Sequence, residues 1–364
     1  MNAPLTQPVG PTVRVGVDAL DRFCRAVLVH AGADRATADA ATRAMMHASR
    51  LGIDSHGVRL LDHYATVLTK GRVNPSPHLS IVAEHGAVAT LDADNGHGAT
   101  ATFAAMDHAI GLAKRHGIGA VAVRNSSHFG PAGAYPLVAA EAGLIGLVVS
   151  NSDAFVRLHD GAARFHGTNP IACAVPVPGQ QPWLLDMATS TVPYNRVMLY
   201  KSLGVSLPPG AASSADGVDT LDPEQAVMLA PLGAAFGYKG AGLAGLIEIF
   251  SALLSGMRLG FEILPMAGPD LSTPRAMGAF VLAIDPAAFV EPQQFGEGMV
   301  RYLEALRRSP ARAGATVMAP GDREWAEAEH RAATGIPIDP ATYDAFRRLA
   351  RTYAVSLPER EAAA

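Results

Sequence analysis

The tetrapeptide Asn74-Pro75-Ser76-Pro77 divides this chain of 364 residues into two patterning regimes. Proline removes a backbone donor and pushes the residue before it out of the helical region, so prolines at alternate positions end any helix that reaches them. Before the break, apolar residues recur at helical spacing. Leu20, Phe23, Cys24, Val27 and Leu28 follow Asp18 and stop at Ala31-Gly32; residues 34–49, rich in alanine with Met45 and Met46, form a second predicted helix; a third continues to Lys70-Gly71. After the break, short strand-like runs take over. Residues 81–84 and 87–91 flank His85-Gly86 as a hairpin, and 119–124, 144–150, 171–175, 183–186 and 278–284 are further strands. Helices are expected at 98–116, 131–142, 240–259, 295–308, 322–334 and 340–352, and the glycine-, proline- and serine-rich residues 200–224 as a long surface excursion. No internal repeat or heptad pattern occurs.

Composition narrows the class. The length favours two domains, and 49% hydrophobic with 17% charged residues points to a compact protein. A net charge of -4, with no basic run beyond pairs such as Arg307-Arg308 and Arg347-Arg348, argues against a nucleic-acid partner. The two cysteines, Cys24 and Cys173, lie in apolar settings that read as core and support neither a disulfide framework nor a metal site. The opening residues read as a proline-rich arm, not a signal peptide, and apolar runs such as 144–149 fall far short of the ~20 residues that span a bilayer. The expectation is a cytoplasmic protein with no membrane partner.

Chemistry concentrates in residues 49–64, SRLGIDSHGVRLLDHY. Histidine passes protons near neutrality when a neighbour fixes its tautomer. Ser55 and Asp54 sit beside His56, but Asp54-Ser55 is also a good helix cap, and the sequence alone supports both readings. A second histidine, His128, falls in Asn125-Ser-Ser-His-Phe-Gly between a strand and a helix, where functional side chains are common and turn chemistry is equally so. Strands finishing at Asn125, Asn151 and Asp186 put polar groups at sheet ends, where ligands bind. Gly167-Thr168-Asn169-Pro170 and Asp186-Met187-Ala188-Thr189-Ser190 flank strands and could admit a ligand or simply turn the chain.

Gly240-Ala-Gly-Leu-Ala-Gly245 matches the G-x-G-x-x-G phosphate loop but lacks a preceding strand, and Glu248 falls within the same helix, so its glycines read as helix packing. Lys239 retains interest as a cation at a helix start. No H-E-x-x-H or comparable spacing occurs, so no metal is expected. Ser55, His56 and Asp186 include the residue types of a serine hydrolase, but no G-x-S-x-G elbow surrounds Ser55.

Together G-I-D-S-H-G at 52–57, K-G at 70–71, S-H-F-G at 127–130, G-T-N-P at 167–170, D-M-A-T-S at 186–190 and G-Y-K-G at 237–240 resemble the malate/L-lactate dehydrogenase-like family of NAD(P)H oxidoreductases. This family lacks a Rossmann fold and includes ureidoglycolate and sulfolactate dehydrogenases, diketogulonate reductase and the piperideine/pyrroline-2-carboxylate reductases. The resemblance spans about residues 18–322. It implies a mixed α+β fold. Residues 1–75 with 290–364 would form a helical domain for substrate and dimerisation, and 76–289 a cofactor domain with a largely antiparallel sheet. It also implies NADPH or NADH as cofactor, a small carboxylate substrate and a homodimer with sites at the subunit interface. Ser55 and Asp186 would orient His56 as proton donor to a 2-oxo acid or cyclic 2-imino acid, although other members are thought to use the histidine matching His128. The alternative is a non-catalytic nicotinamide-dinucleotide- or metabolite-binding protein on the same fold.

Ser152, Asp186, Met187, Ala188, Lys239, Gly240 and the Pro320-Gly321-Asp322 turn match cofactor-contacting positions, and Arg196 stands where a lysine is common. Tyr64, Thr168 and Asn169 are expected near substrate or nicotinamide. Many members place a carboxylate-binding arginine four residues after the motif histidine; here that position is Leu60, and the arginine is Arg59. On a helix one position is a turn of ~100°. Residues 158–161 and 191–196 also depart from the pattern, which leaves the substrate open.

Overall fold

The computed structural model describes residues 13–359, so the proline-rich arm and the last five residues lie outside the described part. Its centre is a seven-stranded sheet. The order is Ser80–His85, Val88–Asp92, Ile118–Ser126, Met277–Ile284, Ile145–Ser150, Ile171–Val175, Trp183–Met187. Only the pairing of Val88–Asp92 with Ile118–Ser126 is parallel, and the helix Gly98–His116 makes that crossover. All other neighbours are antiparallel, so the fold is α+β and not a doubly wound Rossmann sheet.

The helix lies tight on the sheet because its inner face is mostly small: Ala99, Ala101, Ala105, Ala109 and Ala113 join Val121, Val123, Val148 and Val281 in the main core. A Cβ on Gly119 would stand 2.1 Å from the Ala109 carbonyl oxygen, so only glycine allows this approach.

A second core draws on both ends of the chain. The helices Val17–His30, Arg35–Arg50, Leu61–Thr69 and Pro340–Tyr353 contribute Leu20, Phe23, Met45, Leu61, Tyr64, Phe346 and Leu349. Val13–Val15 pairs antiparallel with Ile336–Ile338 and ties the ends together. The helix Pro292–Arg307 lies elsewhere, with Leu303 packed against Val177 and Ala319. Cys24 is buried as expected, whereas Cys173 is only half-buried.

Two sequence expectations need correction. The 200–224 segment is not a simple excursion: the helix Tyr194–Leu203 leads into strands Ala212–Ser213, Asp219–Thr220 and Met228–Leu229, which join Val156–Arg157 and Arg164–His166 in a five-stranded sheet. It has its own core, Val156, Val197, Leu207, Ala211, Ala212 and Leu229. Strands of two residues are too short to show a period of two. The helix expected at 240–259 is α only over Tyr238–Glu248 and widens to a π-turn at Ile249–Leu253. Gly278, in the central strand, faces that turn, and a Cβ there would lie 1.8 Å from the Ser251 carbonyl oxygen. Among the described residues no helix is long and apolar enough to cross a membrane.

Candidate active site

Residues 52–60 do not begin a single helix. Asp54–His56 and Val58–Leu60 are two 3-10 turns, and the α-helix starts at Leu61. Asp54 does not cap it. Its carboxylate takes two bonds from the buried Arg331, at 2.5 and 3.0 Å, and Arg331 also donates to the Ser49 carbonyl at 2.7 Å. Gly57 joins the two turns where a Cβ would fall 2.2 Å from Ser49 Oγ, which in turn accepts the Val58 N–H at 2.9 Å. The S-H-G triplet is thus pinned to the preceding helix, and His56 Nδ1 lies 3.0 Å from Ser55 Oγ.

His128 reaches the same place from the sheet. It follows Ile118–Ser126, and Ser127 Oγ anchors the turn by accepting the Gly98 N–H at 3.0 Å and donating to the Gly96 carbonyl at 3.1 Å. His128 Nδ1 bonds Tyr64 Oη at 2.9 Å. The two imidazoles stand 5.9 Å apart, centroid to centroid, at 23° to each other. Each ring therefore has a hydroxyl on Nδ1. With that hydroxyl donating, the neutral ring carries its proton on Nε2. Burial lowers the pKa of both, and for His128 unfavourable interactions with His56, Arg275, His63 and His97 add to it, so its pKa falls well below the usual histidine range. Of the two, His56 accepts a proton more readily.

Asp186, at the end of Trp183–Met187, does not make the expected contact. Among the described residues its hydrogen bond is from the Gly133 N–H, 2.8 Å to Oδ2, and neither Ser55 nor His56 bonds it. Gly133 is required there, since a Cβ would sit 2.8 Å from that oxygen. Burial without a cationic partner pushes the Asp186 carboxyl up to about 6, with the Gly133 bond opposing and Glu324 adding repulsion. The Pro320-Gly321-Asp322 turn docks on the same strand: the Pro320 carbonyl accepts the Leu184 N–H at 3.3 Å, and Gly321 has φ +96°. The Asp322 carboxylate is engaged by Arg307, at 2.7 and 3.1 Å, and by the Ala319 N–H.

Several of the other expected residues brace the scaffold. Asn169 is fully buried, and its amide donates to the Ala244 carbonyl and Glu248 and accepts the Ser152 N–H. The Thr168 carbonyl accepts from Thr189 N–H and Oγ1. Met187 and Ala188 are half-buried at the strand end. Gly240 is a packing glycine, as its surroundings in the sequence suggested: a Cβ would lie 2.3 Å from the Leu232 carbonyl oxygen. Arg59 is exposed, while Leu60 packs on the terminal core.

A nicotinamide dinucleotide carries a diphosphate, which requires cations near an accessible loop. Leu232 N–H bonds the Thr189 carbonyl at 2.9 Å and Gly240 N–H bonds the Leu232 carbonyl at 3.1 Å, which sets the Lys239 turn beside the 186–190 loop. Lys239 is exposed, its ammonium 5.4 Å from the Phe236 ring centre, and Arg196 is half-buried in the first turn of Tyr194–Leu203. This donor set fits the cofactor. Gly133 and Arg331 were not anticipated; they lie 53 and 277 residues from their partners, and no local pattern marks such pairs. Among the described residues no group of histidine, cysteine, aspartate and glutamate could hold a metal.

Residues 15–347 match the malate/L-lactate dehydrogenase family. A malate dehydrogenase of Pyrococcus abyssi is 34% identical over 94% of this chain and 96% of its own length. A (2R)-3-sulfolactate dehydrogenase (NADP(+)) of Chromohalobacter salexigens is 34% identical over 77% of this chain and 82% of its own. Among solved structures, malate dehydrogenase from Entamoeba histolytica superposes with a TM-score of 0.90, covering 96% of this chain and 100% of that one at 29% identity.

Proposed function

Because this chain belongs to the malate/L-lactate dehydrogenase family, we propose that it reduces a small 2-oxo acid or cyclic 2-imino acid reversibly, with His56 as the proton donor. It is an NAD(P)-dependent oxidoreductase. The bound nicotinamide supplies or accepts the hydride; the chain's own residues position the substrate and manage the proton. The observation that carries the reading is the pair of near-parallel imidazoles, each with Nδ1 held by a hydroxyl and Nε2 left for proton exchange. In the oxidative direction a neutral imidazole takes the proton of a substrate hydroxyl. For reduction His56 must first be protonated, and a bound carboxylate favours this by opposing the burial that lowers its pKa. His128 is less suited, since burial and then its interactions with His56 and Arg275 depress its proton affinity further. Asp186 contributes as a carboxyl with a raised pKa at the start of the 186–190 loop.

Lys239 and Arg196 would hold the cofactor phosphates. Residues 13–75 with 322–359 would form the helical domain, and 76–289, with the helix Pro292–Arg307 packed against Val177, the cofactor domain. A homodimer is supported by the exposed apolar row Leu246, Ile249, Leu253 and Leu254, 45–58% accessible along one helical run, and a partner subunit would complete the substrate pocket near Arg59. Purified protein offered NADH or NADPH with a panel of 2-oxo acids and with piperideine- or pyrroline-2-carboxylate at matched pH should oxidise the cofactor with at least one class. Binding of the cofactor with no turnover on any of them would point instead to a non-catalytic dinucleotide-binding protein.

A further inference from the structure

A small cavity lies beside Tyr64 and His128, lined also by His63, Arg72, His97 and Arg275. Its free volume, ≈ 10 Å³, has room for a single particle of about water size. Arg72 and Arg275 are each 2% exposed and His97 1%. The start of the helix Gly98–His116 fixes the chemistry of His97: Nδ1 accepts the Ala99 N–H at 3.1 Å, so the neutral ring bears its proton on Nε2. Burial keeps that ring neutral, its pKa pushed down to about 3. His97 Nε2, Arg72 Nε and Arg275 Nη1 are all buried and have no hydrogen-bond partner among the described residues. Three residues that line one small cavity therefore each carry a buried N–H without an acceptor, and buried donors rarely go without one.

The charge count agrees. Arg275 is paired with the buried Asp153. Arg72 donates to the carbonyl oxygens of Pro265, Met266 and Asp270, which engage its hydrogens without neutralising it. The Asp270 carboxylate is turned to Ser272 and Thr273. A buried guanidinium without a bonded anion is costly.

We propose that this cavity binds a small monovalent inorganic anion of chloride size, held by Arg72, Arg275 and His97 next to the paired histidines. A water molecule there would bring two hydrogens to a wall that already has surplus donors. An anion at this point lies beside His128 and offsets the positive charge of Arg275. The inference stands whether or not the reductase reading holds, since it concerns occupancy and not turnover.

Crystals of the full-length protein equilibrated with sodium bromide test it directly. An anomalous peak within hydrogen-bond reach of Arg72 Nε, Arg275 Nη1 and His97 Nε2 is expected. In solution, replacing gluconate by chloride at constant ionic strength should raise the melting temperature by about 2 °C, and Arg72→Met should abolish both effects. Water density without anomalous signal, together with equal melting in gluconate and chloride, would overturn the proposal. So would a 2-oxo acid carboxylate found in the cavity in place of the halide.

Discussion

Residue by residue, the candidate site is built from groups held against their preferred states. The Asp186 carboxyl is the clearest case, because its pKa rises from 3.8 in the free residue to about 6 in the fold. Between those values the folded chain binds the proton more tightly than the unfolded chain does, so folding stability falls as pH rises through this window and the full deficit is present above it. The gap converts to about 3 kcal/mol. Asp186→Asn keeps an oxygen for the Gly133 N–H and removes the charge. It should raise the melting temperature by several degrees near pH 8 and leave it unchanged below about pH 3.5, while turnover falls. Equal effects at both values in pH-dependent calorimetry would refute the assignment of a buried, unpaired carboxylate. For the histidines, the expected outcome is that His128→Ala lowers kcat less than His56→Ala does, because His128 is the harder of the two to protonate.

At the level of elements, glycines without room for a Cβ decide where secondary structure stops and how closely it packs. Gly57→Ala would drive a methyl into Ser49 Oγ and displace the two 3-10 turns that carry Ser55 and His56. Gly278→Ala would press the central strand against the π-turn at Ser251, where the obstacle is backbone and cannot swing away. Overpacking of this kind costs about 1–3 kcal/mol or more. Chemical denaturation should show the larger loss for Gly278→Ala, and a loss of activity exceeding the loss of stability for Gly57→Ala. The same scale shows what could be read from the chain. The helix Gly98–His116 was legible because 19 residues give room for a helical period, and the strand Ile171–Val175 because five apolar residues lie between Pro170 and Pro176. His56, Tyr64 and His128 were legible because their motifs are local. The Asp54–Arg331 pair and the Gly133–Asp186 bond were not, since each joins residues whose own neighbourhoods show nothing unusual. The Asp54-Ser55 cap failed for the same reason, as Arg331 takes the carboxylate that a helix start would have used.

For the whole molecule, a largely antiparallel sheet and a core drawn from both chain ends bring His56 and His128 from separate units to one point. The apolar row Leu246, Ile249, Leu253 and Leu254 remains uncovered on the single chain. The proposed dimer predicts that the parent chain sediments as a dimer in analytical ultracentrifugation and Leu253→Lys as a monomer at the same concentration; an unchanged sedimentation coefficient would remove that face from the interface. The central claim is that His56 moves the proton while other residues hold the cofactor. Steady-state turnover of His56→Ala, measured alongside fluorescence titration of NADH and NADPH, tests it most directly. The account predicts a fall in kcat of about 10²–10⁴-fold with cofactor affinity unchanged; a variant that turns over at the parent rate, or that loses cofactor affinity in step with activity, would contradict it.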